Sequence, residues 1–130
     1  MAKKVLVVDD ELDMRVFVAT LLETNGFRPI QAEDGSKGIE VARKHKPSLV
    51  IMDIMMPKES GIQMYRDLKQ DPDLKDIPVI VVSALSRKTF LHSQKVLDEY
   101  EGGELPEPAC YIEKPPEADE LLEAVKRCIR

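Results

Sequence analysis

Cysteine and histidine are scarce in this chain, with two of each among 130 residues. Cys110 and Cys128 share no CxxC spacing, and a disulfide scaffold is not indicated at this length. Cys110 falls in a strand pattern and Cys128 on the apolar face of a helix, so both are expected to be buried free thiols. His45 and His92 lie far apart with no metal-ligand spacing around them, and both are expected at the surface. No apolar run approaches the roughly 20 residues that span a bilayer. The basic start Met1-Ala2-Lys3-Lys4 leads into Val5–Val8, which is too short for a signal peptide and runs into Asp9-Asp10. The expectation is a cytoplasmic protein without membrane insertion. Positive charge is short too. The net charge is −5 and no stripe of Lys and Arg stands out, which argues against nucleic acid as a direct partner. Low-complexity segments and sequence repeats are absent.

What remains is ordinary for a globular protein, at 43% hydrophobic and 33% charged, and the length suits one domain, residues 1–130, around one core. Val5-Leu6-Val7-Val8 is a continuous apolar run, as a strand buried on both faces shows. Met14, Phe17, Val18, Leu21 and Leu22 share one helical face, with Asp13 as N-cap and Asn25-Gly26 as the stop. Residues 28–32, interrupted by Pro29, read as an edge strand. Asp34-Gly35-Ser36 opens a second helix, with Ile39 and Ala42 inward, and Leu49–Asp53 is a third strand. A helix over about 60–70 is broken by Asp71-Pro72-Asp73. Residues 78–83 make a fourth buried strand, about 87–100 a fourth helix, 109–113 a fifth strand and about 117–129 a last helix. Strand–helix alternation with buried strands means an α/β domain with a parallel sheet and helices on both faces.

Ligands of such a sheet bind at the C-terminal ends of its strands. Asp9, Asp10 and Glu11 follow the first strand, Asp53 ends the third, Ser83-Ala84 ends the fourth, and Lys114-Pro115 follows the fifth. Taken singly, each has an ordinary reading: a helix cap, a strand-end hydrogen bonder, a loop exit. Met52, Met55 and Met56 read as packing. Together, three carboxylates in one pocket repel and need a cation. A hard divalent ion with oxygen ligands, Mg²⁺ beside phosphate, suits them. A carboxylate nucleophile, a lysine and a hydroxyl around that ion suit phosphoryl transfer onto aspartate. Asp53 would attack in line, while the ion and Lys114 neutralise the phosphoryl oxygens.

The pieces "VLVVDDE" (5–11), "DIMMPKESG" (53–61), "VIVVSA" (79–84) and "YIEKP" (111–115) occur in this order. With them the chain resembles, essentially end to end, the receiver domain of two-component response regulators. The resemblance implies a flavodoxin-like doubly wound five-stranded parallel sheet, order 2-1-3-4-5, with five helices. It implies Asp53 as phosphoacceptor, with Lys114 and Ser83 on the phosphoryl group and Ser83 and Tyr111 as the switch pair. Asp10, Asp53 and the Met55 carbonyl would hold Mg²⁺, or Mn²⁺ in its place, with Asp9 supporting through water. The peptide bond to Pro115 would be cis. A sensor histidine kinase or a histidine phosphotransfer protein would be the donor and a downstream protein the target, reached through the face of the fourth helix, fifth strand and fifth helix. Such a protein is a signalling switch, and it catalyses only its own phosphorylation and dephosphorylation.

Some positions depart from the family pattern. Pro116 stands where the family often has an aromatic or other apolar residue. The interval between Ser83 and Tyr111 is long and contains "DEYEGGELPEPAC" (98–110), which has five carboxylates and no Lys or Arg. It reads equally as a tolerated surface insertion or a modified partner face. Met55 and Leu85, two residues after Asp53 and Ser83, are apolar where they flank the path of the hydrolytic water, which predicts slow self-dephosphorylation. Three other readings remain open: a receiver excised from a longer regulator or hybrid kinase, a pseudo-receiver that binds without being phosphorylated, and a metal-dependent phosphatase on a related fold. The last would need an aspartate at position 55.

Overall fold

The computed structural model describes residues 2–129. In chain order the elements are β1 (Lys4–Val8), α1 (Leu12–Thr24), β2 (Arg28–Ala32), α2 (Gly35–His45) and β3 (Leu49–Met52). A 3₁₀ turn (Pro57–Glu59) precedes α3 (Ser60–Gln70), then β4 (Val79–Ser83), α4 (Arg87–Glu101), β5 (Cys110–Glu113) and α5 (Ala118–Cys128). The five strands are all parallel and lie in the order β2-β1-β3-β4-β5, as expected. No helix among the described residues is long and apolar enough to cross a membrane.

Side chains alternate across a strand, and the central strands are buried on both sides. Leu6, Val8, Val50, Met52, Val79 and Val81 face one layer, where they meet Ile39, Ala42, Met64, Leu68 and Phe90 from α2, α3 and α4. Val5, Val7, Leu49, Ile51, Ile80 and Val82 face the other, against Val18, Leu22, Leu121 and Val125 from α1 and α5. Each fully buried aliphatic side chain contributes roughly 1.5–3 kcal/mol over an exposed one. That layered burial holds the strand ends in fixed register. β2 lies at the sheet edge, where Pro29 removes a donor at little cost.

Local signals explain most boundaries. The Asp34 carboxylate accepts from the Lys37 N–H at 2.9 Å and caps α2. Arg43, Lys44 and His45 fill the last turn of α2, where the helix dipole favours positive charge. The Ser86 hydroxyl caps α4 by accepting from the Thr89 N–H at 3.1 Å.

Several expectations need correction. Asp13 is not the cap of α1. The helix begins at Leu12 with Glu11 in the cap position and no side-chain cap bond, and just before it the Asp9 carboxylate accepts from the Glu11 N–H in a turn. β3 stops at Met52, so Asp53 is the first residue beyond the strand. Val18 and Leu22 are buried on α1, whereas Phe17 is 38% exposed. Met52 and Met56 are core, but Met55 is 56% exposed and does not pack as expected. Both cysteines are free, as expected, yet half-buried, because β5 is the other sheet edge and Cys128 closes the last helix. His92 is exposed, while His45 is partly buried at the end of α2.

Candidate functional site

The C-terminal sheet edge gathers the residues singled out by their positions. Asp9 directly follows β1 and Asp53 directly follows β3, and these strands are neighbours. The Asp53 N–H donates to the Val8 carbonyl at 3.0 Å, continuing the ladder one step past the strand. The Asp53 carboxylate, 3% exposed, turns back and accepts from the Met55 N–H at 2.9 Å. This Asx-type turn redirects the chain. It also fixes one carboxylate oxygen.

The opening of α3 closes on this turn from behind. A Cβ at Gly61 would lie 2.4 Å from the Ile54 carbonyl oxygen and 2.6 Å from that of Asp53. Only glycine lets α3 start this close to the loop that follows Asp53. The "P…G" punctuation of residues 57–61 is therefore part of how Asp53 is mounted.

Lys114 reaches across from the far side. Its backbone N–H donates to the Ser83 carbonyl at 2.8 Å, and its peptide bond to Pro115 is cis, as expected. Its ammonium group lies 2.8 Å from Asp53 Oδ2, 2.7 Å from Glu11 Oε1 and 3.1 Å from Asp9 Oδ2. Three carboxylates match the three donors of a lysine ammonium. Burial works against the lysine charge, but the hydrogen bonds to Asp53, Glu11 and Asp9 outweigh it and raise its pKa. Burial also pushes the Asp9 carboxyl up, against the pull of the Glu11 N–H and of Lys114.

Asp10 is exposed at the rim. One carboxylate oxygen each from Asp9, Asp10 and Asp53 fall within 4.8 Å of one another. Such an all-oxygen set fits a hard divalent cation. Near it stand four carboxylates, counting Glu11, and one lysine.

Ser83, fully buried at the end of β4, accepts from the Leu85 N–H at 3.2 Å through its hydroxyl. The Tyr111 hydroxyl donates to the Leu85 carbonyl at 2.6 Å. Burial pushes the Tyr111 phenol up to about 12, and its hydrogen bond with Ser83 acts the other way. Its ring lies 5.5 Å from that of Phe90, so the half-buried aromatic packs against the core.

Two participants escaped the sequence reading. Glu11 was counted among the strand-end acids without a role, and it takes one hydrogen bond from Lys114. Its side chain is 63% exposed, so solvent screens this pair and it adds little stability. Arg15 donates to the Asp9 carbonyl at 2.7 Å and to Gln31 at 3.2 Å, bracing the end of β1. An arginine one turn into a helix that follows an acid pair was the available signal.

This arrangement sits in a parallel five-stranded sheet with a cis bond after its lysine. The family model described as the response regulator receiver domain matches residues 5–126. The chain belongs to the response regulator receiver family. Among its relatives is the polar-differentiation response regulator DivK of Brucella anthropi, 40% identical over 89 residues, which are 68% of this chain and 72% of that protein. DivK of Brucella ovis matches to the same extent. The chemotaxis response regulator CheY4 of Vibrio cholerae shares the fold, with a TM-score of 0.82 at 22% identity over 99% of this chain and 100% of that one. The signal receiver domain of a signal transduction histidine kinase from Syntrophus aciditrophicus superposes with a TM-score of 0.78 at 29% identity, covering 98% and 89%. This receiver domain is thus a two-component signalling protein rather than a conventional enzyme.

The buried acid gives the site a pH signature. Because burial raises the Asp9 pKa above 3.8, the folded state binds its proton more tightly than the unfolded state. That stabilising contribution is full below the unfolded pKa and is lost as pH rises through the folded one. At pH 7 ionised Asp9 is therefore a net burden. In chelated buffer, Asp9→Asn is expected to unfold at a higher urea concentration than wild type at pH 7. The advantage shrinks as pH falls toward 4. A variant less stable than wild type at pH 7 would show that the pairing with Lys114 outweighs burial.

Proposed function

We propose that residues 1–130 act as one cytoplasmic receiver domain that is switched by phosphorylation of Asp53. The observation that carries this reading is the Lys114 ammonium, 2.8 Å from a 3%-exposed Asp53 and shared with Asp9. The donor is a phosphohistidine on a sensor kinase or phosphotransfer protein. An Asp53 carboxylate oxygen attacks phosphorus and forms the P–O bond, the P–N bond breaks with its electron pair going to nitrogen, and the imidazole, already protonated on its other ring nitrogen, leaves as the neutral base. Lys114 neutralises a phosphoryl oxygen and the Ser83 hydroxyl donates to another. Asp10, Asp53 and the Met55 carbonyl would hold Mg²⁺, or Mn²⁺, with Asp9 in support. A bound ion supplies further neutralisation of the phosphoryl charge.

The surface around the site suits a protein donor. Leu12, Val16 and Phe17 on α1 and Met55 after β3 are exposed at 61%, 48%, 38% and 56%. These apolar side chains lie on elements that leave the acidic edge, where a partner can cover them. Phosphorylation then favours, by its extra contacts, one of two arrangements of Ser83 and Tyr111. The face of α4, β5 and α5 changes with them and binds a downstream protein. Neither Met55 nor Leu85 carries a polar side-chain group to orient water, which supports a slowly hydrolysed acyl phosphate.

Intact-mass measurement after incubation with a small phosphodonor and Mg²⁺ tests the reading. Wild type is expected to gain one phosphoryl group that persists for minutes or longer, and Asp53→Asn none. Equal labelling of both proteins would refute Asp53 as acceptor, and loss of the label within seconds would refute the persistent signal.

A further inference from the structure

The two cysteines of the chain take no part in the site described above, and the fold brings them to one place. Cys110 is the first residue of β5 and Cys128 the last of α5. Side chains alternate along a strand, so Cys110 shares a face of β5 with Ile112. Leu121, Val125 and Cys128 fall at i, i+4 and i+7 on α5 and share its inner face. Both sets pack into the same core layer. The four residues of β5 rise about 13 Å, and the 11 residues of α5 run back about 16 Å. The last turn of the helix therefore returns to the level of the first strand residue. That level is the N-terminal edge of the sheet, opposite the edge that holds Asp53.

Arg127 joins the pair. Its Nη2 donates to Cys110 Sγ at 3.6 Å, so the residue next to Cys128 reaches the other thiol. Burial pushes the Cys128 thiol up and the Cys110 sulfur adds to this, while Arg127 acts the other way. Cys128 also closes α5, where unpaired carbonyls disfavour negative charge. The two thiols are therefore unlike. Cys110 faces a guanidinium, whereas Cys128 sits where a thiol keeps its proton. Both are half-buried rather than sealed in the core, and β5 has a strand neighbour on one side only. An accessible thiol beside a positive charge, with a second thiol at hand, is the arrangement that small oxidants attack selectively.

We propose that Cys110 and Cys128 form a redox-modified site, which hydroperoxides convert to an intramolecular disulfide. The Cys110 thiolate attacks one oxygen of hydrogen peroxide. The S–O bond forms, the O–O bond breaks, and the departing hydroxide takes the proton that Cys110 gave up and leaves as water. The Cys128 sulfur then attacks the Cys110 sulfur. The S–S bond forms, the S–O bond breaks, and the hydroxide leaves with the Cys128 proton as a second water. Two thiols thus lose two electrons and two protons, and one peroxide becomes two waters. A dithiol returns both electrons and protons and is itself oxidised to a disulfide. The bridge ties the edge strand to the last helix. It needs neither Asp53 nor a phosphoryl group.

The full chain is exposed to a small excess of hydrogen peroxide, quenched, and labelled with a maleimide in denaturant, so that burial cannot hide a thiol. Intact mass then counts free thiols. Reduced wild type takes up a label on Cys110 and on Cys128. Oxidised wild type is expected to take up none, to stay monomeric, and to yield one joined peptide carrying both cysteines. Dithiothreitol should restore both labels. Cys128→Ser is expected to stop at a sulfenic acid on Cys110, trapped by dimedone. Cys110→Ser should keep Cys128 as a thiol over the same time. Arg127→Gln should slow loss of the thiols by about threefold, the size of an exposed charge interaction. Wild type that keeps both labels overturns the proposal, as does a disulfide found only between two molecules. Dimedone capture at Cys128 in Cys110→Ser, with none at Cys110 in Cys128→Ser, overturns the order of attack.

Discussion

Lys114→Ala is expected to lose about 3–5 kcal/mol of folding stability at pH 7 in chelated buffer, the range for removing one partner of a buried ion pair. Lys114 is the cation that touches both Asp9 and Asp53, which are 4% and 3% exposed. Without it two buried charges face each other. The wild-type lysine, its pKa raised by these partners, contributes stability that is full below 10.5 and is lost as pH rises beyond it. The variant lacks that contribution and leaves Asp9, already raised by burial, with less opposition. The folded variant then binds more protons than its unfolded chain, so its stability rises as pH falls from 7 toward 5. Added divalent ion should restore stability in the same way, by supplying the missing positive charge. Phosphorylation of Asp53 should slow by about 10²-fold, as when one preorganised donor is removed from a site of developing charge. Urea midpoints across pH, with and without Mg²⁺, check the stability. A variant as stable as wild type and indifferent to both pH and ion would show that Lys114 does not compensate the acids.

The second large effect lies away from Asp53. Arg66→Ala is expected to cost about 3–5 kcal/mol, again because a buried charge loses its partner. Arg66 is 1% exposed, and its guanidinium joins α3 to three positions on α4. Asp98, with a side chain 16% exposed, would be left without a cation, whereas Glu101 at 48% is screened by water. The two effects can be separated. Arg66→Met restores much of the lost packing but not the charge. Adding Asp98→Asn to Arg66→Met should then recover stability rather than lose more, since residues in one network are not additive. Thermal unfolding of wild type, Arg66→Met, Asp98→Asn and the double variant decides it. Additive losses from Arg66 and Asp98 substitutions would mean that the pair is not coupled.

The fold and much of the site were legible in the chain for definite reasons. Val5–Val8, Leu49–Met52 and Val79–Val82 are apolar without alternation, which only a strand covered on both faces tolerates. A parallel sheet in turn delivers every strand end to one edge. Asp9, Asp53, Ser83 and Lys114 could thus be grouped before any distance was known. The cap of α1 was misassigned because the helix already begins at Leu12, after the turn in which Asp9 accepts from the Glu11 N–H, and Asp13 lies inside its first turn. Met55 was read with its neighbours as packing because composition does not reveal which methionine of three faces water.

Arg66 was missed for a deeper reason. In sequence Arg66 is one more charged residue on an amphipathic helix, and burial of an arginine is rare without partners. Its partners come 28, 32 and 35 residues later: Gln94 on the expected fourth helix, and Asp98 and Glu101 at the start of the acidic stretch 98–110. By itself, then, the sequence determined the layered sheet, the edge where chemistry gathers and the residue types gathered there, because these follow from periodicity and strand direction. Only the tertiary structure decided which acids share Lys114, which way Tyr111 packs and what anchors the segment 98–110. Those outcomes depend on contacts between elements distant in the chain, where close packing and the need to pair every buried charge select among many arrangements that local pattern leaves equal.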